Sequence, residues 1–193
     1  SFRSRHHVFP IIVGMEMLDR RACEQLAVLV AERTGNSLPA VVVSDEHDMY
    51  EMVSVIRRAR LLLASRYHAI VTSMPGLVPS AGVTMDERIR NLMTDRGQPE
   101  LCLGVEDPDL SVGVSTVLER LWSDGDSIAD GIGRTVVKNL ERMGEMGVTL
   151  VDFVRARHPE MPVRAGLGSV EMGGQGDPWA HLPSLPPGVA ALV

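Results

Sequence analysis

The apolar run Leu61-Leu62-Leu63-Ala64 stops at Ser65-Arg66-Tyr67-His68, and apolar residues resume at Ala69-Ile70-Val71. An arginine and a histidine two residues apart at such a junction can do chemistry. The run has the length and bounds of a buried strand, and the residues after it read as a short helix. In an open α/β sheet, ligands bind beyond the carboxyl ends of the strands, where this junction falls. A helix start offers free N–H groups to an anion. The arginine fork matches carboxylate or phosphate, and a histidine can give or take a proton near neutral pH. Ser65, Arg66, Tyr67 and His68 thus read as a small anion site with its own acid. The plainer alternative pairs Arg66 with a nearby carboxylate and leaves His68 a half-buried, satisfied side chain. The residue types alone leave both open.

Other polar residues sort around this pair. Gly76, Pro79 and Gly82 shape the following turn. Asp86, Glu87 and Arg88 open the next helix, where the acids serve as capping and dipole partners. If that turn faces the same cleft, Arg88 is a second cation. Asp45-Glu46-His47-Asp48 follows another strand, but adjacent residues rarely converge on one metal ion, and capping by Asp45 or Asp48 is the simpler role. Arg3, Arg5, His6 and His7 read as a solvated terminus. His158 reads as a helix-end dipole partner, and His181 falls in a polar tail. Met49, Met52, Met74 and Met93 read as core or pocket lining, and Cys23 and Cys102 as reduced thiols in apolar surroundings.

The elements that must position these residues alternate. Strands are expected at His7–Gly14, Pro39–Ser44, Leu61–Ser65, Val78–Val83 and Glu100–Val105. Helices are expected at Leu18–Arg33, His47–Ala59, Tyr67–Met74 and Asp86–Gly97. Strands alternating with helices imply an α/β fold built on a doubly wound parallel sheet, here placed in residues 1–106. Residues 107–158 read as two helices packed on or beside it. Residues 159–193 are rich in Gly and Pro, lack periodicity, and read as extended or disordered. Apolar residues make up 45% of the 193-residue chain, enough for a substantial core, yet aromatics are only 4%, so aliphatic side chains must fill it. The formal charge of −6, with both signs interspersed, excludes a nucleic-acid footprint. No apolar run reaches the roughly 18 residues of a membrane span, and no signal peptide is visible, so a cytoplasmic protein is expected.

Residues 38–98 resemble the C-terminal half of the polysaccharide pyruvyl transferase family. That family shows a strand ending in Ser-Arg-Leu-His-Ala, a short helix, a Gly-x-Pro turn, and an Asp-x-Lys step into the next helix. Here the order is Ser65-Arg66-Tyr67-His68-Ala69, Gly76-Leu77-Val78-Pro79 and Asp86-Glu87-Arg88. Tyr67 stands where the family has an aliphatic residue, and Arg88 where it has Lys. The resemblance implies a Rossmann-like half of a glycosyltransferase-B-like architecture. It implies transfer of a pyruvyl group from phosphoenolpyruvate to a sugar hydroxyl as a ketal, without a further cofactor. Arg66 would hold the donor's charge and His68 would act beside it. Ser65, Tyr67, Gly76, Asp86, Glu87 and Arg88 would complete the binding site. The family's N-terminal domain supplies the other wall of the cleft, and this chain, opening at Ser1 directly before a strand, reads as the second domain only. The expected partners are a small anionic substrate, a sugar acceptor, the missing domain and a possible second copy. Two other readings stand beside this one: a nucleotide-sugar glycosyltransferase or epimerase, and a non-catalytic binding or assembly domain using its C-terminal helices.

Overall fold

A computed structural model describes residues 2–35 and 38–161. The chain runs α1 (Phe2–His6), β1 (Ile11–Gly14), α2 (Arg20–Thr34), β2 (Ala40–Val43), α3 (Met49–Arg57) and β3 (Leu62–Ala64). It continues through α4 (Tyr67–Ser73), β4 (Ser80–Thr84), α5 (Glu87–Asp95), β5 (Cys102–Gly104), α6 (Leu110–Ser123) and α7 (Gly125–Arg157). Short 3-10 turns precede α2, follow α4 and precede β5. The expected tail falls largely on residues outside those described.

All strand pairs are parallel, as the alternation requires, but they form two sheets rather than the one expected. β1 pairs with β2, and β3, β4 and β5 form the second sheet in that order. The break lies between β1 and β3. There Ile11, Val13, Leu62 and Ala64 line a cavity of about 320 Å³ with Ala22, Cys23 and Leu26 of α2. The strands are only three to five residues long, so each has few ladder bonds with which to draw the two edges together. Residues 7–10, expected to open β1, lie before it.

Local chemistry explains the element ends. Asp48 accepts from the Glu51 N–H at 2.8 Å, and Glu51 returns the bond to the Asp48 N–H at 3.2 Å, so a capping box starts α3. Asp86 accepts from the Arg88 N–H at 2.8 Å and starts α5. Gly35 closes α2 at φ 64°, a conformation that favours glycine. Each helix then buries one face: Met52, Val53 and Ile56 from α3, Ile89 and Met93 from α5, Val117 and Leu121 from α6. Ile56, Ile89, Met93, Val117 and Leu121 join Ile70, Ala81, Leu101, Ile128 and Ile132 in one aliphatic core, each large side chain contributing about 1.5–3 kcal/mol on burial. Gly82 is a strand residue rather than part of the preceding turn. A Cβ there would come within 2.4 Å of Ile89 Cγ2, so its absence lets α5 seat on β4.

The start of the chain is not a free solvated terminus. α1 docks on α6: the His6 ring stacks 4.6 Å from Trp122, and its Nε2 lies 2.8 Å from Glu119 Oε2. Arg5 also pairs with Glu119. The apolar ring of Trp122 attracts both His6 and Arg60, whose Cζ sits 4.3 Å from the ring centre.

Candidate functional site

The carboxyl ends of β1, β3 and β4 and the first turn of α3 meet around a groove of about 180 Å³. Met15, Glu16, Met49, Ser65, Arg66, Tyr67, His68, Asp86 and Arg88 line it. Parallel pairing aims these strand ends one way, which is why residues up to 73 positions apart converge. Six of the eight residues singled out in the sequence are among them. Gly76 is not, because it sits at the far end of α4, packed within 3.0 Å of Arg57 by the position a Cβ would take. Glu87 starts α5 nearby but does not line the groove.

Arg66 caps α4 in an extended conformation and turns its guanidinium toward the residues after β1. Its NH1 donates to Glu16 Oε1 at 2.9 Å and its NH2 to Asp19 Oδ1 at 2.5 Å. These bonds, Asp19 foremost, raise its affinity for its proton further. They also tie β3 to the segment after β1, across the break where no ladder bonds run. Of the two roles the sequence left open for Arg66, the carboxylate pairing is the one realised in this conformation.

Arg88 forms a second, more exposed pair, its Nε 2.9 Å and its NH2 2.5 Å from Asp86 Oδ2. The arginine holds the Asp86 carboxyl below the usual carboxylate range. Arg88 Cζ also lies 5.6 Å from the centre of the Tyr67 ring, within cation–π reach. Tyr67 and His68 meet edge to face at 5.6 Å. The His68 ring is exposed and makes no hydrogen bond among the described residues, so both its nitrogens are available at the groove. The groove thus offers two guanidiniums, each already facing carboxylate, a free imidazole, the Ser65 hydroxyl and a phenol. A ligand anion competes with Glu16 and Asp19 for Arg66, or with Asp86 for Arg88.

The sequence reading missed Glu16, Asp19 and Met15. Their signal was present: Gly14-Met15-Glu16 directly follows a strand, and the rule that picked out Arg66 applies equally there. Asp48 caps α3 as expected, whereas Asp45 pairs with Arg20 at 2.6 Å. Among the described residues no group of three His, Cys, Asp or Glu side chains stands where it could hold a metal ion. No helix among them is long and apolar enough to cross a membrane.

Fold and groove together define an α/β protein with parallel strands and a small polar groove at their carboxyl ends. Compared with family models, curated proteins and solved structures, the chain matches none.

Proposed function

We propose that this chain is the donor-binding half of a polysaccharide pyruvyl transferase-like protein of glycosyltransferase-B-like architecture, acting on phosphoenolpyruvate. The observation that supports this best is the convergence of Arg66, His68 and Arg88 on one groove, in the order and at the strand ends of the family it resembles. The groove is well below the roughly 300 Å³ at which sites for larger ligands begin, which favours a three-carbon anion over a nucleotide sugar. In this reading Arg66 takes the donor's carboxylate or phosphate in place of Glu16 and Asp19, and Arg88 takes the other charge. His68 protonates the terminal enol carbon. The cation left at the neighbouring carbon accepts one sugar hydroxyl, and a second hydroxyl of the same sugar then replaces phosphate, closing the ketal. One hydroxyl proton returns to His68, restoring the one it gave, and the other leaves with the phosphate. The acceptor binds against the facing domain, which lies outside this chain.

Calorimetric titration of phosphoenolpyruvate at low salt tests the donor step. Saturable binding is expected, abolished in Arg66→Ala. It is strengthened in Glu16→Gln, because removing one competing carboxylate releases the guanidinium. Binding that survives Arg66→Ala unchanged, or no binding even in Glu16→Gln, would remove the basis for this reading.

A further inference from the structure

We propose that a polar cavity at the amino ends of β4 and β5, at the opposite end of the strands from the groove, binds a phosphate group between Arg96 and Arg134. The cavity holds about 580 Å³ and lies between the turn after α5 and the first turns of α7. That volume suits a small molecule carrying the phosphate. Ser80, the first residue of β4, accepts a bond from Arg96, whereas the groove is walled by residues that follow Thr84, the last residue of β4. The two sites therefore stand about one strand length apart, and a ligand in one does not occupy the other.

The balance of charge selects an anion. Arg96, Arg120 and Arg134 line the cavity with Glu100, Asp124 and Asp126. Arg120 is matched, pairing with Glu100 at 2.8 Å and with Asp124 at 3.7 Å. Arg96 and Arg134 have no carboxylate partner among the described residues, and Asp126, which is exposed, pairs with neither. Arg96 is 5% exposed, and a guanidinium so buried without a counter-charge is unfavourable. Four of its five N–H groups go to neutral acceptors on Gln98 and Ser80, and the fifth finds no acceptor among the described residues. The second guanidinium is close by. Gln98 Nε2 lies 2.6 Å from the position a Cβ on Gly131 would take, and Arg134 NH2 lies 3.8 Å from that same position. Two like charges gathered at one glutamine repel each other, and an anion between them reverses the sign of that energy. Arginine forks bond phosphate oxygens in pairs. A tetrahedral phosphate presents oxygens in several directions, which suits donors arriving from two elements better than a planar carboxylate does. Ser127, on the first turn of α7, adds a hydroxyl at the same cavity that no group among the described residues engages.

Calorimetric titration of inorganic phosphate into the whole chain, up to about 10 millimolar with ionic strength held constant by sodium chloride, tests this. Saturable binding is expected. Arg134→Ala is expected to weaken it about tenfold with unchanged circular dichroism, since Arg134 is exposed and alanine suits a helix. Asp126→Asn is expected to tighten it, because an unpaired carboxylate leaves the cavity wall. The Arg134-dependent binding is expected to persist in Arg66→Ala, which separates this cavity from the strand-end groove. No saturable binding, or binding indifferent to Arg134→Ala, would overturn the site. Binding weakened by Asp126→Asn would overturn its preference for an anion. Phosphate binding that depends on Arg66 and not on Arg134 belongs to the groove, and would overturn this proposal while leaving the donor-binding reading intact.

Discussion

At the scale of single residues, Arg96 shows how far burial can override type. It is 5% exposed, and its acceptors are all neutral: Gln98 Oε1 at 2.6 and 3.0 Å, the Ser80 hydroxyl at 2.9 Å and the Ser80 carbonyl at 3.4 Å. Burial lowers its pKa to about 10. Gln98 passes the connection on, donating to the Ile128 carbonyl at 3.1 Å, and only a glycine at 131 leaves room for it. Arg96 therefore joins the end of α5 to the start of β4 and, through Gln98, to α7. Arg96→Met should leave those acceptors buried and without donors, a loss of about 2–3 kcal/mol in chemical denaturation. If instead the methionine variant matched the wild type, the desolvation of the charge would outweigh its hydrogen bonds. Nothing in Asp95-Arg96-Gly97-Gln98 announces this role. An arginine after a helix reads as a solvated dipole partner, and only the neighbouring elements make it a core residue. Arg66 is the converse case, where the strand-end position was legible but its partners, Glu16 and Asp19, lie about 50 residues away.

At the scale of elements, helix starts were the most legible feature because their chemistry is local. Asp48 and Asp86 sit where the sequence places caps, and each bonds the N–H that its position predicts. Asp48→Ala should cost about 1 kcal/mol, read as a lower urea midpoint, while Asp48→Asn retains most of that stability. Equal losses for both variants would assign the effect to charge rather than to the cap. Strand pairing was less legible. The run from 7 to 14 predicts a strand of eight residues, and four form it. The break between β1 and β3 has no sequence signal, since it depends on whether two distant edges reach hydrogen-bonding distance. α1 was missed for a related reason: five residues are too few to show a helical period, and the partners that hold it, Glu119 and Trp122, lie far along the chain.

At the scale of the whole molecule, surface charge sets the response to pH. The Asp45 and Asp86 carboxyls are held below the ordinary carboxylate range, each chiefly by a hydrogen bond from an arginine, Arg20 and Arg88 respectively. A carboxyl whose value is depressed in the folded state binds fewer protons folded than unfolded. Its contribution is complete above the unfolded value, about 3.9 for Asp, and is lost as pH falls through the folded one. Urea midpoints should be level from neutrality to about pH 5 and fall below about pH 4, with a shallower fall in the Asp45→Asn, Asp86→Asn double variant. A midpoint that rose on acidification would contradict these pairings. The same scale decides what the long helix does. Its helical character was readable in the sequence, but that none of its residues after Thr135 is buried was not.

By itself the sequence determined the alternation of strands and helices, the parallel pairing it demands, the caps, and the strand-end position of Ser65, Arg66, Tyr67 and His68. These follow from periodicity and from bonds within a few residues, which local order encodes directly. Only the tertiary structure decided that the strands form two sheets, that Glu16 and Asp19 hold Arg66, that Gly76 lies apart from the groove, and that α7 outruns its core. Those outcomes depend on distances between elements far apart in the chain, and such distances are set by packing as a whole.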